Sequence, residues 1–136
     1  NVIAEKLHPI EEILNLNVIA INKLKTCHPS FQYDLKKYYP QSWNIFDKKN
    51  KQLTYKVSIQ NLKKGIKEGC YRKEINPEII SKIFSEKIDV IFNSLAFEAI
   101  NVSFSDVYKE LINHHVLGIV NEEGRKYYLN FQKTTK

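Results

Sequence analysis

The sequence predicts an all-α protein, a single-domain bundle of about five to six helices. Three observations lead to this fold class. The chain has 136 residues, which is the size of one ordinary domain. It contains only four glycines and four prolines, fewer than the turns of a β-sandwich or barrel require. Apolar residues recur three and four positions apart along most of the chain, which is the period of an α-helix.

Five helical segments follow from this periodicity, and they cover residues 10–24, 30–38, 41–68, 76–94 and 103–120. Prolines mark the boundaries of the first three. Pro9 suits a first helical turn, whereas Pro29 and Pro40 disfavour a helical residue before them. Gly69 is the expected cap after the third helix, because glycine tolerates the left-handed backbone found there. The first helix is apolar on two sides, which predicts a central position in the bundle.

Capping signals place the last two helices. Residues 76–78, Asn-Pro-Glu, supply a capping side chain, a proline at the first helical position and an acid in the first turn. Ser103, followed three residues later by Asp106, is a variant of the capping box. Gly124 is the candidate terminator of the last helix. The apolar segment 127–131 is expected to pack back on the body of the domain.

Basic residues are concentrated in one part of the chain. The net charge is +6 overall. Between Lys48 and Lys73, however, there are nine basic residues and a single acidic residue, Glu68, which gives that stretch a net charge of +8. Such a run fits a phosphate backbone or an anionic surface. Apolar residues at helical spacing run through the same stretch, so the lysines lie mostly on the other faces and a solvated side of an amphipathic helix is the favoured interpretation.

The sequence lacks the residue patterns of enzymes and metal sites. No P-loop, G-x-S-x-G, G-x-G-x-x-G or H-E-x-x-H motif occurs. Cys27 and Cys70 lack the C-x-x-C spacing of zinc or redox sites. His114 and His115 are adjacent, so on a helix they point about 100° apart and do not share one metal. We therefore predict no catalytic residues, no metal and no cofactor.

Composition also predicts where the protein works. Two cysteines cannot form a disulfide framework, which favours a reducing cytoplasm. No apolar run approaches the roughly 18 residues that a membrane span needs, so no membrane partner is expected. The chain contains no methionine and opens with Asn1, which indicates part of a longer protein.

Polar residues inside apolar helices are the more informative feature. Asn17 lies on the apolar stripe between Leu14 and Ile21. A buried amide needs a hydrogen-bond partner. Two interpretations stay open: Asn17 bonds to backbone or water, or it faces a cavity and orients a ligand. Aromatic residues cluster between residues 31 and 55, and an apolar pocket with few polar anchors is typical of small-molecule sites.

Four sequence segments together resemble the C-terminal domain of TetR/AcrR-family transcriptional regulators, particularly those of Bacteroidetes-type bacteria. The segments are FQYDLKKYYP at 31–40, GIKEGCYR at 65–72, INPEII at 75–80 and HHVLGI at 114–119. The resemblance covers residues 7–131. It implies an all-helical domain that binds an effector and forms a homodimer.

The resemblance also implies a domain organisation. Residues 1–6 would end a connecting helix from a missing N-terminal helix-turn-helix domain, the part that binds DNA in such regulators. Residues 7–131 would form the effector-binding and dimerisation domain, and residues 132–136 a disordered tail.

Two sets of site residues follow. The family's pocket lies among the central helices, and periodicity there selects Asn17, Ile21, Phe31, Trp43, Phe46, Tyr55, Ile59, Phe84 and Ile88. In the family the last two long helices pair with their copies as a four-helix bundle, which maps to 76–94 and 103–120. The interface residues expected there are Ile83, Ile91, Tyr108, Leu111, Ile112, His115, Gly118 and Ile119.

The functional hypothesis is a ligand-sensing and dimerisation domain of a bacterial transcriptional regulator, most often a repressor in this family. A small apolar effector would alter the DNA affinity of the missing domain. One alternative is a stand-alone helical protein–protein interaction module without a ligand, for which we expect no enclosed cavity. A second alternative makes the stretch 48–73 a nucleic-acid surface, with strongly salt-dependent binding. We expect no DNA binding by this chain itself.

Overall fold

The computed structural model describes residues 7–25, 31–92, 97 and 99–134, and six α-helices account for most of them. The helices are α1 (Pro9–Lys25), α2 (Phe31–Tyr38), α3 (Pro40–Lys67), α4 (Pro77–Phe92), α5 (Phe104–Ile119) and α6 (Glu122–Thr134). No strand occurs in the described residues. The predicted all-α bundle of five to six helices is therefore confirmed.

Local signals in the sequence explain where the helices begin. The Asn76 side chain accepts hydrogen bonds from the backbone N–H groups of Glu78 and Ile79, at 3.0 and 3.1 Å. At the start of α5, the Ser103 and Asp106 side chains each accept from the other's backbone N–H, which completes the capping box. After α3, Gly69 has φ 83°, the left-handed conformation that glycine adopts without strain.

The core lies where α1, α3, α4, α5 and α6 meet. It consists of Ile10, Ile13, Leu62, Cys70, Tyr71, Phe84, Tyr108, Ile112, Val116, Ile119, Val120 and Tyr128. The prediction that α1 packs centrally agrees with its contacts, which reach α3, α5 and α6. By contrast, α2 packs on the N-terminal part of α3, where the Lys36 ammonium lies 4.7 Å from the Trp43 ring centroid.

The turn after α3 joins three helices. Tyr71 and Val120 form an isolated antiparallel bridge, in which the Arg72 N–H donates to the Ile119 carbonyl at 2.8 Å. The Asn121 N–H donates to the Cys70 carbonyl at 3.1 Å. The Asn121 side chain accepts from the Gly124 N–H at 3.0 Å and so caps α6.

One boundary prediction is wrong. Gly124 does not end α5, which stops at Ile119. Extended backbone at Val120 and the cap at Asn121 separate α5 from α6, and Gly124 lies buried inside α6. The segment 127–131 accordingly packs back as part of a helix, which continues to Thr134.

Candidate functional site

The predicted pocket residues do not all converge. Phe84 is buried, while Tyr55 and Ile59 are half-buried on α3. Trp43 and Phe46 lie near the N-terminal end of α3, with ring centroids 6.0 Å apart, and Phe46 is 44% exposed. The side chains of Ile21, Phe31 and Ile88 lie outside the described residues. The pocket assignment therefore stays a prediction, and Phe84 is the buried residue among its described members.

Asn17 contacts the hydroxyl of Tyr108 across the α1–α5 contact. The Tyr108 hydroxyl donates to the Asn17 side-chain oxygen at 3.2 Å. The Nδ2 group of Asn17 is buried and has no partner among the described residues. A buried N–H group without an acceptor is costly. The Oδ1 atom of the amide thus has a structural role, and the Nδ2 group offers a donor for a ligand or a water.

His115 lies beside Phe84, at the contact between α5 and α4. The two rings stack with centroids 4.0 Å apart and an interplanar angle of 26°. The His115 Nε2 atom is buried and has no partner among the described residues. Burial, with smaller effects from the charges of Lys87 and His114, lowers the pKa of His115 from 6.5 to about 4. The ring is neutral in the folded protein at pH 7.

We expect the protein to lose stability in acid because of His115. Its folded pKa is below its unfolded value, so the unfolded state binds the extra proton first as the pH falls through 6.5 towards 4. The loss should reach about 2 kcal/mol by pH 5. Denaturant unfolding of wild type and His115→Gln at pH 8 and pH 5 measures it. The variant should lose most of this difference, whereas His114→Gln, at an exposed neighbour, should keep it.

The surface of the described residues has two pockets, and both are open grooves. The larger, of about 590 Å³, lies between α3 and α4 and is lined by Asp47, Lys48, Lys51, Gln52, Tyr55, Glu78, Ile79, Lys82 and Glu86. Lys51 crosses it, with its Nζ 3.2 Å from the Asp47 carboxylate and 3.1 Å from that of Glu86. Tyr55 is the one predicted pocket residue in its lining. The smaller groove runs along α5 beside Leu117 and Gly118. Neither groove is an enclosed apolar cavity.

The predicted interface residues divide into two groups. Tyr108, Ile112 and Ile119 are buried within the chain, so they form core and present little surface to a partner. The others that the structure describes retain surface: Ile83 and Gly118 are exposed, and Leu111 and His115 are half-buried. The side chain of Ile91 lies outside the described residues. The interface assignment stays a prediction for the second group.

A buried polar network centred on Asn61 was not predicted from the sequence. Asn61 is 1% exposed, and its Nδ2 donates to the Pro9 carbonyl at 2.9 Å and to the Glu12 carboxylate at 3.2 Å. The Tyr71 hydroxyl donates to its Oδ1 at 2.7 Å. Lys64 completes the network with a 2.7 Å ion pair to Glu12. The network joins α1 to α3 and to the following turn. Because every polar group in it is paired, it leaves no free group for a ligand.

Several classes of site are missing from the described residues. No group of three or more histidine, cysteine, aspartate or glutamate side chains there could hold a metal ion. No helix in the same ranges is long and apolar enough to cross a membrane. Cys70 is buried, and burial, the largest cause, raises the pKa of its thiol to about 11, so it is no nucleophile at neutral pH.

Comparison with family profiles, curated proteins and solved structures finds no match to this chain. The resemblance to TetR/AcrR regulators therefore rests on the four sequence segments quoted above.

Proposed function

We propose that this chain is the effector-binding and dimerisation domain of a TetR/AcrR-type transcriptional regulator that works in the cytoplasm. One observation carries the proposal: α4 and α5, the helices that would pair in such a dimer, have apolar or small surface left uncovered. Ile79 and Ile83 of α4 are 57% and 45% exposed. On α5, Gly118 is exposed, and a Cβ atom there would meet nothing within 4 Å.

This exposed surface suits a helix from a second copy. Ile79 and Ile83 are four residues apart, so they lie on the same side of α4. Gly118 lies in the groove along α5, and the lack of a side chain permits close approach of another helix. Contiguous exposed apolar residues on a soluble domain commonly mark an interaction site.

Effector binding is the second part of the proposal. The buried Asn17 Nδ2 and His115 Nε2 atoms, which have no partner among the described residues, are the candidate polar anchors, and the Phe84 ring beside His115 is the candidate apolar wall. A small, largely apolar molecule there would favour one relative arrangement of two subunits and so change operator affinity of the full-length regulator. An effector that bound both arrangements equally would shift nothing.

The alternative is a stand-alone helical interaction module without a ligand. The openness of both grooves favours it, since an effector domain needs an enclosed site. Both functions predict exposed apolar surface. They differ in whether a second copy of this chain is the partner, which the solution mass decides.

Light scattering of a dilution series tests the proposal. A mass near twice 16.0 kDa is expected at micromolar concentration, with dissociation on dilution. A mass of 16.0 kDa at every concentration would favour the stand-alone module.

We expect Ile83→Asp to abolish the dimer without unfolding the chain. Ile83 is exposed in the single chain, so an aspartate there stays hydrated unless a second subunit covers it. The expected loss of dimer affinity is at least about 100-fold, because a covered unpaired charge costs roughly 3 kcal/mol or more. Light scattering measures the mass, and circular dichroism confirms the helix content.

Leu53→Asp is the matched control. Leu53 is also an exposed apolar residue, at 61% against 45% for Ile83, but it lies on α3, outside the proposed interface. Its dimer should match that of wild type. Equal dimerisation by all three proteins would show that α4 is not the interface.

A further inference from the structure

The solvent-facing side of α3 carries a regular series of residues, of which only Phe46 belongs to the predicted effector pocket. The members of the series alternate four and three positions apart: Ser42, Phe46, Lys49, Leu53, Lys56, Gln60, Lys63 and Lys67. All eight are exposed. This 4-3 spacing is the heptad period along which two helices pack side by side. We call this series the α3 seam.

The opposite side of α3 anchors the helix in the bundle. Its buried residues Ser58, Asn61, Leu62 and Gly65 face α1, α4 and the turn at Tyr71. These buried residues hold the C-terminal half of the seam from behind, whereas the N-terminal half of α3 is held by contacts with α2 and α4. From residue 42 to residue 67 the seam is about 38 Å long.

The charge of the seam is of one sign. Lys49, Lys56 and Lys63 are seven residues apart, which places them in one row about 10.5 Å from each other. None of the three forms an ion pair with a carboxylate of the described residues. The acid within α3, Asp47, lies off the seam and pairs with Lys51. The row of ammonium groups is thus available to an anionic partner.

The seam is also apolar at two positions, one before Lys49 and one between Lys49 and Lys56. Phe46 and Leu53 are 44% and 61% exposed, and Ile45 beside them is 59% exposed. These side chains gain free energy when a partner covers them. A partner that matched only the charges would leave them in water.

We propose that the α3 seam is a docking surface for an acidic amphipathic helix of another protein. Such a helix would place apolar side chains against Phe46 and Leu53 and carboxylates against the row of lysines, both at heptad spacing. The charges set register and speed association, while the covered apolar area holds the complex.

Two other anionic partners fit the seam less well. A nucleic-acid backbone would satisfy the lysines but would offer Phe46 and Leu53 no apolar surface. A bilayer favours apolar residues that insert together, whereas here Lys49 and Lys56 flank Leu53 on the same side of the helix. Both are outcomes of the test below.

The test uses a synthetic helical peptide of about 28 residues, four heptads, with leucines in register with Phe46 and Leu53 and glutamates in register with the lysines. Controls are a scrambled peptide of the same composition and a version with glutamine for each glutamate. Fluorescence anisotropy at low and physiological salt gives the affinities. The acidic peptide should bind at least about tenfold more tightly than either control.

A charge-swap experiment assigns the binding to the seam. The triple variant Lys49→Glu, Lys56→Glu, Lys63→Glu should lose about tenfold or more in affinity for the acidic peptide. It should instead bind a peptide that has lysine in place of each glutamate, which wild type should bind weakly. The matched control reverses three exposed lysines on α5 and α6, Lys109, Lys126 and Lys133, and should bind the acidic peptide almost as wild type does.

Three results would overturn the proposal. The acidic peptide could bind no better than its scrambled control. The control triple variant could lose as much affinity as the seam variant, which would show non-specific attraction. Vesicles of phosphatidylcholine with phosphatidylglycerol, or single- or double-stranded DNA, could bind in place of the peptide and lose that binding in the seam variant, which would assign the seam to a membrane or a nucleic acid.

Discussion

Replacing Asn61 with leucine is expected to lower the free energy of unfolding by about 3 to 5 kcal/mol. Leucine keeps the branching and the number of side-chain heavy atoms of asparagine, but its methyl groups are larger and it removes both polar ends of the amide. The Tyr71 hydroxyl, itself fully buried, would lose its acceptor. The Pro9 carbonyl and the Glu12 carboxylate would each lose a donor, and Lys64 would be the remaining partner of the Glu12 carboxylate among the described residues.

Urea denaturation followed by circular dichroism measures this loss. Asn50→Leu makes the same chemical change at an exposed position of α3, and it should alter stability by less than about 0.5 kcal/mol. Tyr71→Phe removes one hydroxyl and should cost an intermediate amount, about 1 to 2 kcal/mol. If Asn61→Leu were as stable as Asn50→Leu, the network would not contribute to folding.

Much of the fold could be predicted because its signals are local. Capping residues, prolines and the heptad-like spacing of apolar residues act within a few residues of each other. The starts of α4 and α5 agree with prediction for that reason, since Asn76 and Ser103 accept hydrogen bonds from the first turn that follows them. Gly69 likewise follows α3 in the left-handed conformation expected of it.

The Asn61 network could not be predicted because its partners are distant in sequence. Asn61 is 52 residues from Pro9 and 49 from Glu12. Tyr71 lies in the loop between the helices predicted at 41–68 and 76–94, where exposure is the usual expectation, yet its side chain is fully buried. Gly65 makes the space it fills, because a Cβ atom there would collide with the Tyr71 ring. Such a relation depends on the packing of the whole chain.

The missed start of α6 is different, because its signal is present in the sequence. Asn121, followed by Glu122 and Glu123, combines a capping side chain with two acids in the first turn. The cap at Asn121 sets this boundary, and the glycine three residues later does not end a helix. A glycine ends a helix only where the backbone turns left-handed, and Gly124 instead allows close packing.

The candidate site was predictable only in part. Asn17 is a candidate because it interrupts an apolar stripe, and its Nδ2 is buried without a partner among the described residues. The positions of Trp43 and Phe46 at one end of α3 depend instead on how far that helix extends beyond the core. Periodicity identifies which side of a helix is apolar, but it does not tell whether another element covers that side.

Replacing Gly124 with alanine is expected to lower the free energy of unfolding by about 3 kcal/mol, despite the higher helix propensity of alanine. An alanine Cβ would collide with the Cys70 carbonyl and lie 3.0 Å from the Val120 Cβ. A backbone carbonyl cannot rotate away as a side chain can. The N-terminal turn of α6 would have to move away from Cys70, which strains the Asn121 N–H bond to the Cys70 carbonyl and the contacts of buried Tyr128.

Gly118→Ala is the matched control, since a Cβ atom at Gly118 meets nothing within 4 Å. In the monomer it should raise stability by about 0.5 kcal/mol, because alanine loses less backbone entropy than glycine in a helix. Thermal and urea unfolding of both variants at concentrations where the chain is monomeric give the comparison. A Gly124→Ala protein as stable as Gly118→Ala would mean that α6 does not depend on close contact with the Cys70 backbone, and the buried position of Gly124 would then have no energetic role.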